Sequence, residues 1–315
     1  MPHQPLVAIV GPTGSGKSEL GLTLAAEFGG EIVNCDSLQL YRHLDIGTAK
    51  VLPAEQRGIP HHLLDVIDPD QVFTAGEYAR VGRRIIKEIA DRGRLPIVVG
   101  GTGFYLRALF EGLFPGPPRD EALRARLARF EARRPGRLHD LLTRQDPPSA
   151  FRIHPSDVQK LIRAVEVLLL TRRPLSTWFA EGRDPLEGFR VLKLGLDPPR
   201  QALYCRLEAR CESMFAGGLV EEVAKVLALG FPPASKALEA HGYKQALQVL
   251  KNESTIAEAL VSAKQNTRRY AKRQWTWFRR DPEVIWLQGF GIDAAVRDGT
   301  LSRVRDFLSS QASIL

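Results

Sequence analysis

The segment GPTGSGKS, residues 11–18, follows the apolar run LVAIV and satisfies G-x-x-x-x-G-K-[ST] at every fixed position. A chain carrying this pattern is tied to a strand, a tight turn and a helix whose first amides face a phosphate. Gly11, Gly14 and Gly16 let the backbone approach phosphate oxygens, with Thr13 and Ser15 completing the loop. Lys17 supplies a point charge, and the Ser18 hydroxyl is the expected magnesium (Mg2+) ligand. The open question is which phosphate is held: a nucleotide's, or that of another diphosphate acting as a leaving group.

The flanking pattern extends this unit. KSELGLTLAAEF reads as a helix, EIVNCDS as a second buried strand, and HHLLDVID and LPIVVGG as further strands. FTAGEYARVGRRIIKEIADRG is an amphipathic helix closed by Gly93. FPGPPRD breaks the alternation, and from Asp120 to Arg173 the pattern is helical throughout. The clearest helix there runs from about Ser156 to Thr171, with Val158, Leu161, Ile162, Val165, Leu168 and Leu169 on one stripe and Ser156 and Gln159 suited to a capping box. FRVLKLGLD returns as a strand, helices follow, and a short strand lies near VIWL. The predicted fold is α/β: a P-loop NTPase-like parallel sheet core flanked by helices, with an all-helical insertion domain. The boundaries expected are 1–117 with 189–315 for the core and 118–188 for the insertion.

Composition narrows the class. A formal charge of +8 is unevenly spread: up to Pro117 there are 11 Lys and Arg against 13 Asp and Glu, and beyond it 33 against 23. A polyanionic partner should therefore lie mainly against the second part. Three cysteines without C-x-x-C spacing suggest neither a disulfide framework nor a zinc site. No apolar run approaches membrane-spanning length and the start lacks a signal-peptide pattern, so the expectation is a cytoplasmic monomer with no membrane partner.

Three further segments carry chemistry. Asp36 in DSLQLY stands just past a strand end on the P-loop's side of the sheet, where a carboxylate can ligate magnesium or act as a base; alone it could be a helix cap. GGTGFY places two glycines and Thr102 where P-loop ATPases often carry a metal-binding Asp, which weakens the ATPase reading. NTRRYAKRQWTWFRR, residues 266–280, holds six basic and four aromatic side chains and no acid. On a helical wheel Ile256, Leu260, Ala263, Thr267, Tyr270, Ala271, Gln274 and Phe278 share one face, opposite Arg268, Arg269, Lys272, Arg273, Arg279 and Arg280. The missing counter-charge favours phosphate-backbone contact over a merely solvated face. His61 and His62, adjacent on a strand, point to opposite faces and cannot readily share a metal.

Taken in order, GPTGSGKS, DSLQLY, IGTAK, HHLLD, GGTGFY, RIHPSDVQKLIRAVEV, GGLVEEV, HGYKQA and TRRYAKRQWTWFRR resemble the bacterial tRNA dimethylallyltransferases over Val7 to about Arg280. The resemblance implies transfer of a dimethylallyl group from dimethylallyl diphosphate to the exocyclic amine of the adenosine 3′ of the anticodon. It implies Asp36 as the base, with Thr102 and Arg210 stabilising the departing pyrophosphate beside Lys17 and a magnesium ion. By motif match, Asp36, Ser37, Leu38 and Gln39, together with His241, Gly242, Tyr243, Lys244 and Gln245, would lie near the target base in the tRNA anticodon loop. Gln159, Lys160 and Arg163 would read that loop, and Arg124 is a further RNA contact. His241 stands where an apolar residue is expected before GYKQ, and Val51 where proline is expected after IGTAK. The alternatives are a prenyltransferase acting on free adenine nucleotides, a small-molecule kinase, and an RNA-binding NTPase without transfer chemistry.

Overall fold

The computed structural model describes residues 3–310. The chain starts with β1 (Gln4–Val10), turns through residues 11–16 and enters α1 (Lys17–Phe28). There follow β2 (Gly30–Cys35), the two-residue β3 (His61–His62), α2 (Ala75–Asp91), β4 (Leu95–Gly100) and α3 (Gly103–Phe110). β2 and β4 are buried along their whole lengths, as strands covered on both faces must be; β4 is apolar throughout, whereas β2 also buries Glu31, which bonds His62 and Arg92, and Asn34, which donates to the Leu63 carbonyl. HHLLDVID does not continue as a strand. Leu63 and Asp65 take φ values of 63° and 53°, which turn the chain away from the ladder after His62. His61 and His62 diverge, bonding the Ile59 carbonyl and the Glu31 carboxylate respectively.

Residues 111–185 form a separate compact unit, so the division falls at 110/111 and 185/186, whereas the sequence placed it at 117/118 and 188/189. Its helices are α4 (Glu121–Arg133), α5 (Arg137–Gln145), α6 (Pro147–Arg152), α7 (Val158–Thr171) and α8 (Leu175–Ala180). Leu127, Leu138, Leu142, Leu161, Ile162 and Val165 make its core. Three buried acids stitch it together. Glu131 accepts from the Gly136 and Leu138 amides, Asp146 from those of Ser149 and Ser176, and Glu166 from that of Asp120. The cap of α7 is Asp157, whose carboxylate accepts from the Lys160 amide, and not Ser156; Gln159 therefore takes no part in a capping box.

The chain then continues through β5 (Phe189–Asp197), α9 (Arg200–Ala216), α10 (Leu219–Ala228), α11 (Tyr243–Leu250), α12 (Ile256–Phe278), β6 (Val284–Gln288) and α13 (Ala294–Ser309). The six strands form one sheet in the order β3-β2-β4-β1-β5-β6, every neighbouring pair parallel. Val7, Ile9, Ile32, Ile97, Leu194 and Leu196 pack on Leu20 and Leu24 of α1 and Val304 of α13. β1 lies between β4 and β5, so the turn at its C-terminal end opens beside the ends of β2 and β4. Ligands of open parallel sheets bind at this edge.

Candidate active site

The turn after β1 is shaped by glycines that no larger residue could replace without strain. Gly14 and Gly16 have φ of 78° and 90°, and a Cβ on Gly16 would lie 3.0 Å from the Gly291 amide nitrogen. Lys17, first residue of α1, donates to the Pro12 carbonyl at 2.8 Å. Burial of its ammonium lowers its pKa to about 8, with Asp36 opposing and Arg210 reinforcing the shift. The sign follows directly: the cation is present below that pH and is lost above it. Pyrophosphate affinity of the free protein is therefore expected to weaken about tenfold between about pH 7 and pH 9, whereas Lys17→Arg should show no such loss. Calorimetric titration of both proteins with pyrophosphate checks this, and parallel pH profiles would refute it.

Asp36 follows β2 and is held by a local turn. Its amide donates to Asn34 Oδ1 at 3.1 Å, and its Oδ1 accepts from the Leu38 amide at 3.0 Å. Asn34 is itself fixed by the Leu63 carbonyl at 2.8 Å. Thr102, past the end of β4, accepts from the Ser37 amide at 3.0 Å and lies 3.3 Å from the Ser37 hydroxyl. From α9, Arg210 Nη2 donates to the Thr13 hydroxyl at 2.9 Å, and burial holds the guanidinium pKa below its ordinary value. Thr13, Lys17, Ser18, Asp36 and Arg210 thus line one cleft of about 460 Å³. A smaller pocket shares Thr13, Asp36 and Arg210 and continues between Leu38, Met214, His241 and Tyr270. There His241 packs on Tyr270 with ring centroids 4.5 Å apart. Burial, then Arg273 and Arg210, lowers the His241 pKa to about 4, so near neutral pH the ring is uncharged.

Some residues expected to face RNA are instead structural supports. Tyr243 and Gln245 are buried: the Tyr243 hydroxyl donates to Glu222 at 2.7 Å, and Gln245 accepts from the Gly242 amide at 2.8 Å. Glu222 also accepts from the amides of Asp45, Ile46 and Gly47, fixing the IGTAK turn beside the cleft. Gly242 is buried as well, His241 half-buried and Lys244 exposed. Gln39 donates to the Thr48 carbonyl at 3.2 Å. Gly100 and Gly101 serve protein packing: a Cβ on Gly100 would lie 2.1 Å from the Cys35 carbonyl oxygen, and one on Gly101 2.1 Å from Gln274 Nε2.

In the helical unit, Arg163 donates to Glu166 at 2.7 Å and to the Pro117 carbonyl at 2.8 Å, while Arg124 reaches Glu166 at 3.2 Å and Gln159 at 3.3 Å. Glu166 is fully buried, so both arginines neutralise a charge that water cannot reach. Arg163→Ala is accordingly expected to destabilise the protein by about 2 to 4 kcal/mol, measured by denaturant unfolding. An unchanged midpoint would mean that Arg124 alone suffices. Lys160 is exposed and pairs with Asp157.

α12 departs from the sequence reading in its counter-charges. Arg268 pairs with Glu208 and Lys264 with Glu212, both acids on α9, and Arg279 reaches Asp197 at 3.2 Å. Arg269, Lys272, Arg273 and Arg280 are exposed and have no acidic partner among the described residues. Ile256, placed on the apolar face, is 57% exposed because it opens the helix's first turn; Trp275 is core. Sequence reasoning missed the amide of Gln274 as a bridge. It accepts from the Thr13 amide at 2.7 Å and donates to the Gly101 carbonyl at 2.9 Å. The signal available was a glutamine on an otherwise small and apolar helix face.

Fold and site together define a P-loop-type α/β protein with a carboxylate facing its phosphate cradle. The IPP transferase profile matches residues 39–281, and the chain belongs to the IPP transferase family. A protein of Solibacter usitatus named tRNA dimethylallyltransferase is 61% identical over 304 residues, covering 96% of this chain and 99% of the relative. The crystal structure of a tRNA isopentenylpyrophosphate transferase from Bacillus halodurans is similar at 36% identity with a TM-score of 0.71, covering 98% of this chain and 96% of that one. A eukaryotic dimethylallyltransferase acting on tRNA is 28% identical with a TM-score of 0.82, covering 98% of this chain and 80% of that one. No helix among the described residues is long and apolar enough to cross a membrane.

Proposed function

We infer that the protein transfers a dimethylallyl group from dimethylallyl diphosphate to the exocyclic N6 amine of the adenosine 3′ of the anticodon in tRNA, releasing pyrophosphate. The observation that carries this reading is the single cleft in which Asp36 faces Thr13, Lys17 and Arg210. Such a site separates two tasks. The cationic side neutralises a departing diphosphate, and the carboxylate accepts a proton from a nucleophile.

An exocyclic adenine amine is a poor nucleophile because its lone pair is delocalised into the ring. As the bond from N6 to the first prenyl carbon forms, the carbon–oxygen bond to the diphosphate breaks, and an N6 proton passes to Asp36. Lys17, Arg210 and the first amides of α1 hold the charge that develops on pyrophosphate, while the Thr102 hydroxyl helps fix the Asp36 segment through Ser37. Ser18, exposed at the cleft beside Lys17, would hold a magnesium ion there; when bound, the ion would add charge neutralisation to the leaving group. The P-loop here serves carbon–oxygen cleavage without phosphate transfer.

For the RNA, the unpaired cations of α12 suit phosphate-backbone contact, and Gln159 and Lys160 are exposed on α7. A tRNA acceptor also suits work in the cytoplasm. The test is stoichiometric: with dimethylallyl diphosphate, magnesium and unmodified tRNA, one pyrophosphate should be released per prenyl group transferred, and added ATP should remain intact. tRNA-stimulated ATP hydrolysis without prenyl product would reject the reading.

A further inference from the structure

Gln274 lies deep in the face that α12 turns to the core, among Ala263, Thr267, Ala271 and Phe278, and is 5% exposed. Packing alone would be served there by an apolar side chain of similar length. A buried amide is costly unless both of its ends are paired, and here both are paired with backbone from distant segments, one on each turn beside the cleft.

The two bonds reach opposite sides of the reaction. Because its amide hydrogen is committed to Gln274, Thr13 is held in the orientation in which its hydroxyl accepts from Arg210 at 2.9 Å. The Gly101 carbonyl held by Gln274 immediately precedes Thr102, whose hydroxyl fixes the Ser37 amide next to Asp36. Gly101 must be glycine for this approach, since a Cβ would overlap the glutamine nitrogen at 2.1 Å.

We propose that Gln274 is a positioning residue that sets the spacing between the diphosphate cradle and the Asp36 side of the pocket. The proposal rests on the transferase reading for its effect on rate, but its effect on the cradle is independent of that reading. In-line displacement between a bound leaving group and a bound amine is sensitive to displacements well under the size of an atom, so loosening the strut should slow the chemical step more than it weakens RNA binding.

Two variants test this on the full-length protein. Gln274→Met keeps length and removes both bonds. It is expected to weaken pyrophosphate binding about fivefold or more and to slow single-turnover prenyl transfer about tenfold or more, with tRNA affinity within about twofold of the parent. Gln274→Glu is nearly isosteric. Its protonated form can still accept from Thr13 and donate to Gly101, but its ionised form cannot donate. The parent-to-variant rate ratio should therefore rise with pH. Parental pyrophosphate affinity and rate in Gln274→Met would overturn the proposal. So would a pH-independent ratio in Gln274→Glu accompanied by parallel losses of pyrophosphate binding, tRNA binding and melting temperature, because Gln274 would then be a packing residue. If the parent makes no prenylated tRNA at all, the transferase reading fails; pyrophosphate titration of Gln274→Met against the parent still decides the strut.

Discussion

Asp36→Asn is expected to lower the single-turnover rate of prenyl transfer by about a hundredfold or more while leaving tRNA affinity nearly unchanged. The substitution preserves size and the acceptor for the Leu38 amide, so the turn that places residue 36 should survive. What it removes is proton acceptance opposite Lys17 and Arg210. A structural carboxylate would show the reverse pattern, with a lowered melting temperature and a modest rate effect. Near-parental turnover by Asp36→Asn would assign the base elsewhere.

The second large effect concerns α12. Replacing Arg269, Lys272 and Arg273 together with alanine is expected to weaken tRNA binding about a hundredfold at low salt and to reduce the slope of log affinity against log salt by up to about three units. Pyrophosphate binding should persist. Arg268→Ala should do less, because its guanidinium is already paired with Glu208. Filter-binding titrations over a salt series measure both quantities. Unchanged affinity and slope in the triple variant would make this face a solvated one and favour an acceptor smaller than tRNA.

The parts legible in the sequence were those encoded locally. The P-loop set β1, the turn and α1 through its spacing, and the continuous apolar run of β4 marked a strand covered on both faces; β2 was read from EIVNCDS although it buries Glu31 and Asn34. Amphipathic periodicity marked α2, whose start the structure caps through mutual hydrogen bonds between Thr74 and Glu77. What was not legible depended on partners distant in the chain. The acids that pair with Arg268 and Arg279 come from α9 and the end of β5, so a segment without acids in sequence is partly neutralised in space. Nothing in the helical pattern of residues 156–171 singles out Glu166, yet it is the buried acid that engages Arg124 and Arg163. Tyr243 lay within a motif near the target base, but its hydroxyl points to Glu222. Hydrophobic periodicity carries none of this information, because it reports which face is buried and not what a buried polar atom bonds.

The most direct measurement is to incubate the protein with dimethylallyl diphosphate, magnesium and unmodified tRNA, digest the RNA, and locate the added mass by oligonucleotide mass spectrometry, with free AMP, ADP and ATP as parallel acceptors. The account predicts one prenyl group on the adenosine 3′ of the anticodon, formed far more slowly by Asp36→Asn and absent when the prenyl donor is omitted. Prenylation of a free nucleotide with tRNA left unmodified would contradict it.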